Sequence, residues 1–87
     1  MKKITMFMLN RCPHCIAAIK WMDELYKTDP KYKELEIEKI EESLHPEIAD
    51  KFDYYYVPTY YVDGKKLHEG VASLDKVKAV FDAALDG

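Results

Sequence analysis

Two cysteines separated by two residues, Cys12 and Cys15, are the side chains of this sequence best suited to chemistry. On the first turn of a helix they can form a disulfide with little backbone movement, because disulfide-bonded Cα atoms usually lie ~4.4–6.8 Å apart. Pro13 suits the first helical position, where its missing N–H costs no hydrogen bond. A Cys-x-x-Cys pair near a strand–helix–strand pattern indicates a redox motif. The spacing therefore predicts a reversible dithiol–disulfide switch.

The elements around this pair follow from the apolar pattern. Residues 2–9 are apolar on both alternating faces, which is typical of a central, covered strand. Apolar side chains then recur at helical spacing over residues 13–27. Residues 35–40 predict a second strand, and the glutamates of residues 34–42 favour a solvated position at the edge of the sheet. Together these segments predict a right-handed βαβ unit with parallel strands.

The second half of the sequence continues the pattern with short elements. It predicts a helix at 46–52, a strand at 59–62 and a returning strand at 66–69. Asp63-Gly64 predicts a tight hairpin turn between the two strands. Ser73 is the expected N-cap of a last helix that ends at Leu85, and the buried stripe of this helix is expected to contain Leu74, Val77, Val80, Phe81 and Leu85. The order is β-α-β-α-β-β-α, in one domain spanning residues 1–87.

Composition excludes several functional classes. The chain has 87 residues and a net charge of −3, and its basic residues are scattered, so nucleic-acid binding is not expected. No apolar run approaches the ~20 residues of a membrane span. The apolar run at residues 4–9 is too short for a signal peptide. These features favour a cytoplasmic protein without membrane association, in which a disulfide would be transient and catalytic rather than structural.

The sequence resembles the thioredoxin fold in its minimal, glutaredoxin-like form. Three features carry the resemblance: Cys12-Pro13-His14-Cys15 after the first strand, Val57-Pro58 before the third strand, and Gly70 between the fourth strand and the last helix. The resemblance implies an α/β fold with a four-stranded mixed sheet in the order 2-1-3-4 and helices on both faces. It also implies a cis peptide before Pro58 and thiol–disulfide exchange as the activity.

The site residues have distinct expected roles. Cys12 is the expected nucleophile, because a helix N-terminus lowers a thiol pKa from ~8.5 to roughly 3.5–7.5 in such motifs. Cys15, one turn further on the core side, is expected to resolve the mixed disulfide. His14 would donate to the thiolate or add positive charge, unless it is only a solvated histidine. Arg11 would raise the local positive potential or meet a glutathione carboxylate, although an ordinary surface arginine fits equally well.

The substrate side of the site is implied by the resemblance. Besides Arg11, the expected substrate-binding residues are Pro13, Tyr56, Val57, Pro58 and Gly70. The backbone of Val57 would pair with an extended substrate. An unusual tyrosine cluster surrounds this segment and consists of Tyr54, Tyr55, Tyr56, Tyr60 and Tyr61. These tyrosines either form a stacking wall for a peptide or thiol substrate or simply pack into the core and surface.

Three departures from glutaredoxins bear on the partners. Tyr56 replaces the usual threonine before Val-Pro. Glutaredoxins usually have a second glycine and acidic side chains that help to hold glutathione, whereas this sequence has Val71 and Ala72-Ser73 at those positions. The Pro-His pair between the cysteines is typical of strongly oxidising dithiol oxidases. The resemblance implies substrates that are disulfide-containing proteins or small thiols. Glutathione or a thioredoxin-reductase-like donor would supply electrons, no tightly bound cofactor is expected, and a monomer suffices.

Two alternative functions compete with a dithiol enzyme. Two copies of the chain could share an iron–sulfur cluster through Cys12, with glutathione completing the ligands, or the domain could bind partners without redox chemistry. A structural zinc site is not expected, because zinc needs four ligands and only one close ligand pair exists here. His45 and His68 are far from this pair in the sequence.

Overall fold

The computed structural model describes residues 2–86. Its strands are β1 (Ile4–Met8), β2 (Ile37–Glu41), β3 (Thr59–Val62) and β4 (Lys65–Glu69), and its α-helices are α1 (Pro13–Thr28), α2 (Pro46–Ala49) and α3 (Leu74–Leu85). The sheet order β2-β1-β3-β4 confirms the predicted order 2-1-3-4. β1 runs parallel to β2 and antiparallel to β3, and β3 runs antiparallel to β4.

Side chains of β1 alternate between two cores, which confirms that helices cover both faces of the sheet. Met6 and Met8 belong to a large cluster formed with α1 and α3, where Met22 and Phe81 are also buried. Phe7 points to the opposite face and joins a smaller cluster next to α2, which also contains Ile40, Tyr61, Phe52 and Tyr54. Because both faces of β1 are covered, its sequence is apolar at every position that packs.

Local signals behave as predicted at several turns. Asp63 and Gly64 both have positive φ (52° and 84°), the pattern of a type I′ hairpin turn. The Ser73 hydroxyl accepts the N–H of Lys76 at 3.2 Å and caps α3. β2, in which Glu38 and Lys39 are exposed, is an edge strand.

The α-helical segment predicted at 46–52 was too long. α2 ends at Ala49, and the chain continues as tighter turns in which Lys51 and Phe52 bond to carbonyls three residues back. Such i→i+3 bonds tighten the end of a helix. This ending brings the Phe52 ring within 4.7 Å of the Phe7 ring, measured between centroids.

Two other predictions need correction. A 3-10 helix at Pro30–Glu34 follows α1, and Leu35 closes it, so β2 begins at Ile37 rather than at Leu35. The reason is the buried Tyr32, whose ring lies 5.5 Å from the Phe81 ring. Leu74 is 39% exposed and does not belong to the buried stripe of α3, because it is the first residue of the helix.

Candidate active site

Cys12 lies at the N-terminus of α1, at the point where the sequence predicts the helix to begin. It is the N-cap residue, with extended backbone (φ −77°, ψ 122°), and its carbonyl oxygen accepts the N–H of Cys15 at 3.0 Å. Pro13 occupies the first helical position. Cys12 is half-buried, whereas Arg11, Pro13 and His14 are exposed. The fold thus presents the sulfur of Cys12 at the surface, beside three of the predicted site residues.

The helix N-terminus lowers the pKa of the Cys12 thiol. The largest cause is the backbone N–H of Cys15; burial opposes it, and the backbone N–H of His14 and the Cys15 thiol lower the pKa further. The first N–H groups of a helix lack intrahelical partners and favour an anion. His14 therefore acts on the sulfur through its backbone, and the predicted role of its exposed imidazole stays a prediction.

Cys15 has the opposite environment. Its side chain is fully buried in the larger core, and the backbone N–H of Leu9 lies 3.5 Å from its sulfur. Burial raises the pKa of Cys15 to about 11; the Leu9 N–H partly offsets this, and Cys12 raises the pKa further. Both cysteines are free thiols. Within one helical turn, one thiol is favoured as a thiolate and the other is held protonated.

The Val57-Pro58 peptide is cis, as the resemblance implies. Pro58 is buried, and its carbonyl oxygen accepts the N–H of Gly70 at 2.9 Å. Val57 and Cys12 both pack against the larger core. Because β3 is antiparallel to β1 and β4, the loop before β3 lies at the same end of the sheet as the last residues of β1 and β4. The fold therefore gathers Cys12, Val57, Pro58 and Gly70 at that end of the sheet.

Gly70 is required by its backbone conformation rather than by space. Its φ is +94°, in the region that side chains with a Cβ rarely adopt. A Cβ added there would lie 3.9 Å from the Cβ of Tyr56, which is an ordinary contact. Gly70 thus allows the chain to turn sharply after β4 while its N–H bonds the cis-proline segment.

The tyrosine cluster divides into packing and surface residues. Tyr60 is fully buried, and its hydroxyl lies 3.3 Å from the sulfur of Met22. Tyr54 stacks on the Phe7 ring at 4.8 Å, and Tyr61 is buried in the same smaller core. These three side chains pack and do not form a substrate wall. Only Tyr55 and Tyr56 fit that prediction, with exposures of 87% and 70%.

The sequence analysis missed two glutamates that end the edge strands. Glu41, the last residue of β2, accepts the N–H of Asn10 at 3.1 Å and both the N–H and the hydroxyl of Ser43. These bonds lower the pKa of Glu41, the Ser43 hydroxyl most strongly. Glu69, the last residue of β4, accepts backbone N–H groups from the loop before the cis peptide. Their position at strand ends is the signal that could have distinguished them from solvated edge glutamates.

A pocket of about 460 Å³ lies beside Cys12, at the same end of the sheet. It lies between the loop that leads into α1 and the loop that follows β2, and its lining includes Leu9, Arg11, Cys12, Glu41 and Leu44. Such a volume lies within the ~300–1,000 Å³ of ordinary ligand pockets. Arg11 therefore lies at a cavity that Cys12 also lines.

Within residues 2–86, no group of three or more His, Cys, Asp or Glu side chains is arranged to hold a metal ion. Over the same residues, no helix combines the length and apolar character needed to cross a membrane.

The sheet order, the dithiol at the start of α1 and the cis-proline before β3 define the thioredoxin fold. The sequence profile of the thioredoxin domain family matches residues 2–82, so the chain belongs to this family. The family supports a redox enzyme acting in thiol–disulfide exchange. A search of curated protein sequences found no significant match.

Solved structures with the same fold include thioredoxins and a glutaredoxin. A malarial protein superposes with a TM-score of 0.74 at 21% identity, over 98% of both chains. Thioredoxin from Fasciola hepatica gives 0.70 at 21% identity, over 95% of this chain and 80% of that one. Glutaredoxin 1 from Francisella tularensis gives 0.55 at 17% identity, over 100% of both chains. These likenesses describe the fold.

Proposed function

We propose that this protein is a thiol–disulfide oxidoreductase in which Cys12 is the nucleophile and Cys15 the resolving thiol. The supporting observation is the opposite direction of the two pKa shifts within one helical turn. The thiolate, not the thiol, is the nucleophile in disulfide exchange. Cys12 is also the more exposed sulfur, so it is the one that reaches a disulfide outside the protein.

The reaction has two exchange steps. The Cys12 thiolate attacks one sulfur of a substrate disulfide, forms a mixed disulfide, and releases the other half as a thiolate. Cys15 then loses its proton to solvent and attacks the Cys12 sulfur, which releases the second substrate sulfur as a thiolate. The substrate has gained two electrons, and the Cys12–Cys15 disulfide remains. A dithiol donor, or two molecules of a monothiol such as glutathione, returns the two electrons and is itself oxidised to a disulfide.

The environment of Cys15 determines when it acts. The thiolate of Cys12 is one cause of the raised pKa of Cys15. That charge disappears when Cys12 enters the mixed disulfide, so Cys15 becomes easier to deprotonate at the step that needs it. Burial remains the largest cause of the raised pKa, and it keeps the resting dithiol from losing both protons.

We propose protein or peptide disulfides as substrates, with glutathione or a thioredoxin-reductase-like donor as the source of electrons. The exposed Tyr56 offers apolar surface to an extended chain. Ala72 and Ser73 lack the carboxylates that help to hold glutathione in glutaredoxins. Arg11, beside the pocket, would contact a carboxylate of either partner.

The test uses single-cysteine variants in a disulfide-reduction assay with dithiothreitol as donor. Cys12→Ser should reduce turnover to the background of the donor alone. Cys15→Ser should retain the first step and accumulate a mixed disulfide with a peptide substrate, detected by mass spectrometry. Full turnover by Cys12→Ser, or no trapped adduct with Cys15→Ser, would contradict the assignment.

Alkylation rates at pH 7 test the pKa difference directly. We expect iodoacetamide to modify Cys12 at least about tenfold faster than Cys15, because the pKa of Cys12 is lowered from 9.0 and that of Cys15 is raised to about 11. The lower intrinsic nucleophilicity of a low-pKa thiolate offsets only part of the difference in thiolate fraction. Peptide mapping by mass spectrometry gives both rates in the same sample. Urea-unfolded protein is the control, in which the two rates should converge.

A further inference from the structure

Glu69 makes three polar contacts from the last position of β4. Its Oε2 atom accepts the backbone N–H of Tyr55 and, at 3.0 Å, that of Tyr56. Its Oε1 atom accepts from the Lys66 ammonium at 2.7 Å. The Glu69 side chain is only 20% exposed. Charge-assisted bonds of this kind are roughly twice as strong as neutral ones, so one carboxylate fixes two consecutive peptide groups.

These contacts belong to a wider arrangement around the cis peptide. The Thr59 hydroxyl donates to the carbonyl oxygen of Tyr56, and the N–H of Gly70 donates to that of Pro58. Val57 lies between these fixed points. Within residues 2–86, the N–H and carbonyl of Val57 take part in none of the hydrogen bonds. Both flanks of Val57 are therefore held while its own backbone groups stay available.

We propose that Glu69 is a positioning residue that holds the Val57 backbone in the geometry needed to pair with an extended, disulfide-containing peptide. This inference rests on the proposed function, and it assigns to that site a preference for peptide substrates over small disulfides. Fixing a binding segment before association lowers the ordering cost of binding. The hydrogen bonds of Glu69 go to Tyr55, Tyr56 and Lys66 and not to a cysteine, so Glu69 acts on substrate binding rather than on the reactivity of Cys12.

The ion pair with Lys66 is a separate contribution. Both side chains are partly exposed, and such pairs contribute little to stability. Removing the ammonium leaves the Glu69 carboxylate and its two backbone donors in place. Lys66→Met removes this contact of Glu69 and also the bond from the Lys66 ammonium to the carbonyl oxygen of Asp53, at 3.1 Å. It leaves both bonds from residues 55–56 to Glu69 in place, so it is the control for loss of the ammonium alone.

The experiment compares Glu69→Ala, Glu69→Gln and Lys66→Met with the wild type. Two substrates are used, a ten-residue peptide dimer joined by one disulfide and the small disulfide of 2-mercaptoethanol. For Glu69→Ala we expect KM for the peptide to rise about tenfold, equivalent to about 1.4 kcal/mol, with kcat unchanged. Turnover of the small disulfide and the pH profile of Cys12 alkylation should stay at wild-type values.

The other variants sharpen the result. Glu69→Gln keeps one neutral acceptor and should give a KM between wild type and Glu69→Ala, while Lys66→Met should keep the wild-type KM. An unchanged peptide KM in Glu69→Ala, or an equal loss with both substrates, would overturn the inference. Inactive wild-type protein would instead refute the proposed function, which separates the two failures.

Amide hydrogen exchange gives a measurement that does not need turnover or a fully stable alanine variant. In wild-type protein the N–H groups of Tyr55 and Tyr56 should exchange slowly although both side chains are exposed. In Glu69→Gln their exchange should accelerate, while exchange in α1 stays unchanged. Fast exchange of both N–H groups in the wild type would overturn the inference.

Discussion

Two loops near Cys12, one beside β2 and one beside β4, are each held by a glutamate carboxylate that accepts backbone N–H groups. On the β2 side, the Glu41 carboxylate accepts the N–H of Asn10, in the loop that leads into Cys12. On the β4 side, the Glu69 carboxylate accepts the N–H groups of residues 55–56, ahead of the cis peptide. Each glutamate is the last residue of an edge strand. In both cases a carboxylate fixes the backbone of a loop at the end of the sheet where Cys12 lies.

The difference lies in what each fixed loop presents. The β2 side presents Cys12, the proposed nucleophile, and borders the pocket beside it. The β4 side presents the unpaired backbone of Val57 and the exposed ring of Tyr56. For the proposed reaction, the comparison means that the reactivity of Cys12 and the binding of substrate depend on different loops of this small fold. Variants that release the loop before Cys12 should therefore change kcat, and variants that release the loop before the cis peptide should change KM.

Gly70→Ala should cause the largest loss among variants that keep both cysteines. An alanine forced to φ +94° costs about 1–2 kcal/mol of folding stability, and the turn that supports Pro58 is distorted. We expect a lower midpoint of urea unfolding and a raised KM for the peptide disulfide. Urea titration followed by circular dichroism and steady-state kinetics measure the two effects.

Gly64→Ala is the matched control for this variant. Gly64 also has positive φ (84°) and open space around it, but it lies in the hairpin turn at the opposite end of the sheet. Its stability loss should be similar, with KM unchanged. Equal changes in KM for both variants would show that the β4 side has no special relation to the substrate.

Glu41→Ala should reduce kcat severalfold and leave KM for the peptide unchanged. The N–H of Asn10 loses its acceptor, so the loop before Cys12 no longer holds one geometry. Loss of the negative charge would by itself lower the pKa of Cys12, so a shift of the alkylation profile to lower pH would indicate an electrostatic effect instead. Ser43→Ala is the control, because it removes one donor to Glu41 and leaves the Asn10 bond intact.

Acid should weaken the β4 side through Glu69. Its bonds to Lys66, Tyr55 and Tyr56, in that order, lower the pKa of Glu69 from 4.5 to about 2. The folded carboxylate binds a proton more weakly than the unfolded one, so its stabilisation is present above about pH 4.5 and is lost as the pH falls toward about 2. The difference between the urea midpoints of wild type and Glu69→Gln should be constant above about pH 4.5 and should narrow as the pH falls toward about 2. A difference that stays constant over the whole range would contradict the shift.

Leu44→Ser should have the smallest effect. Leu44 is 68% exposed at the pocket, so folding stability should change by less than about 0.5 kcal/mol. If a substrate side chain enters the pocket, KM for a peptide with leucine next to its cysteine should rise about fourfold, the value of roughly one buried methylene group. An unchanged KM would leave substrate binding to the β4 side alone.

Short-range signals explain why much of the fold was predictable. Pro13 after Cys12, the Asp63-Gly64 turn and the Ser73 cap each act within a few residues, and the structure contains all three. The alternation of β1 predicted two covered faces, and both are present. Errors arose where distant packing decides an ending: the Phe52 ring packs on Phe7, and α2 stops at Ala49.

The sequence by itself determined the dithiol, its place before a helix and the order of the elements, because spacing and periodicity are properties of neighbouring residues. Only the tertiary structure decided which loops Glu41 and Glu69 bind, since Asn10 lies 31 residues from Glu41, and Tyr56 and Tyr55 lie 13 and 14 residues from Glu69. It also decided the opposite pKa shifts of Cys12 and Cys15. Those shifts depend on which sulfur faces free helix N–H groups and which is buried in the core.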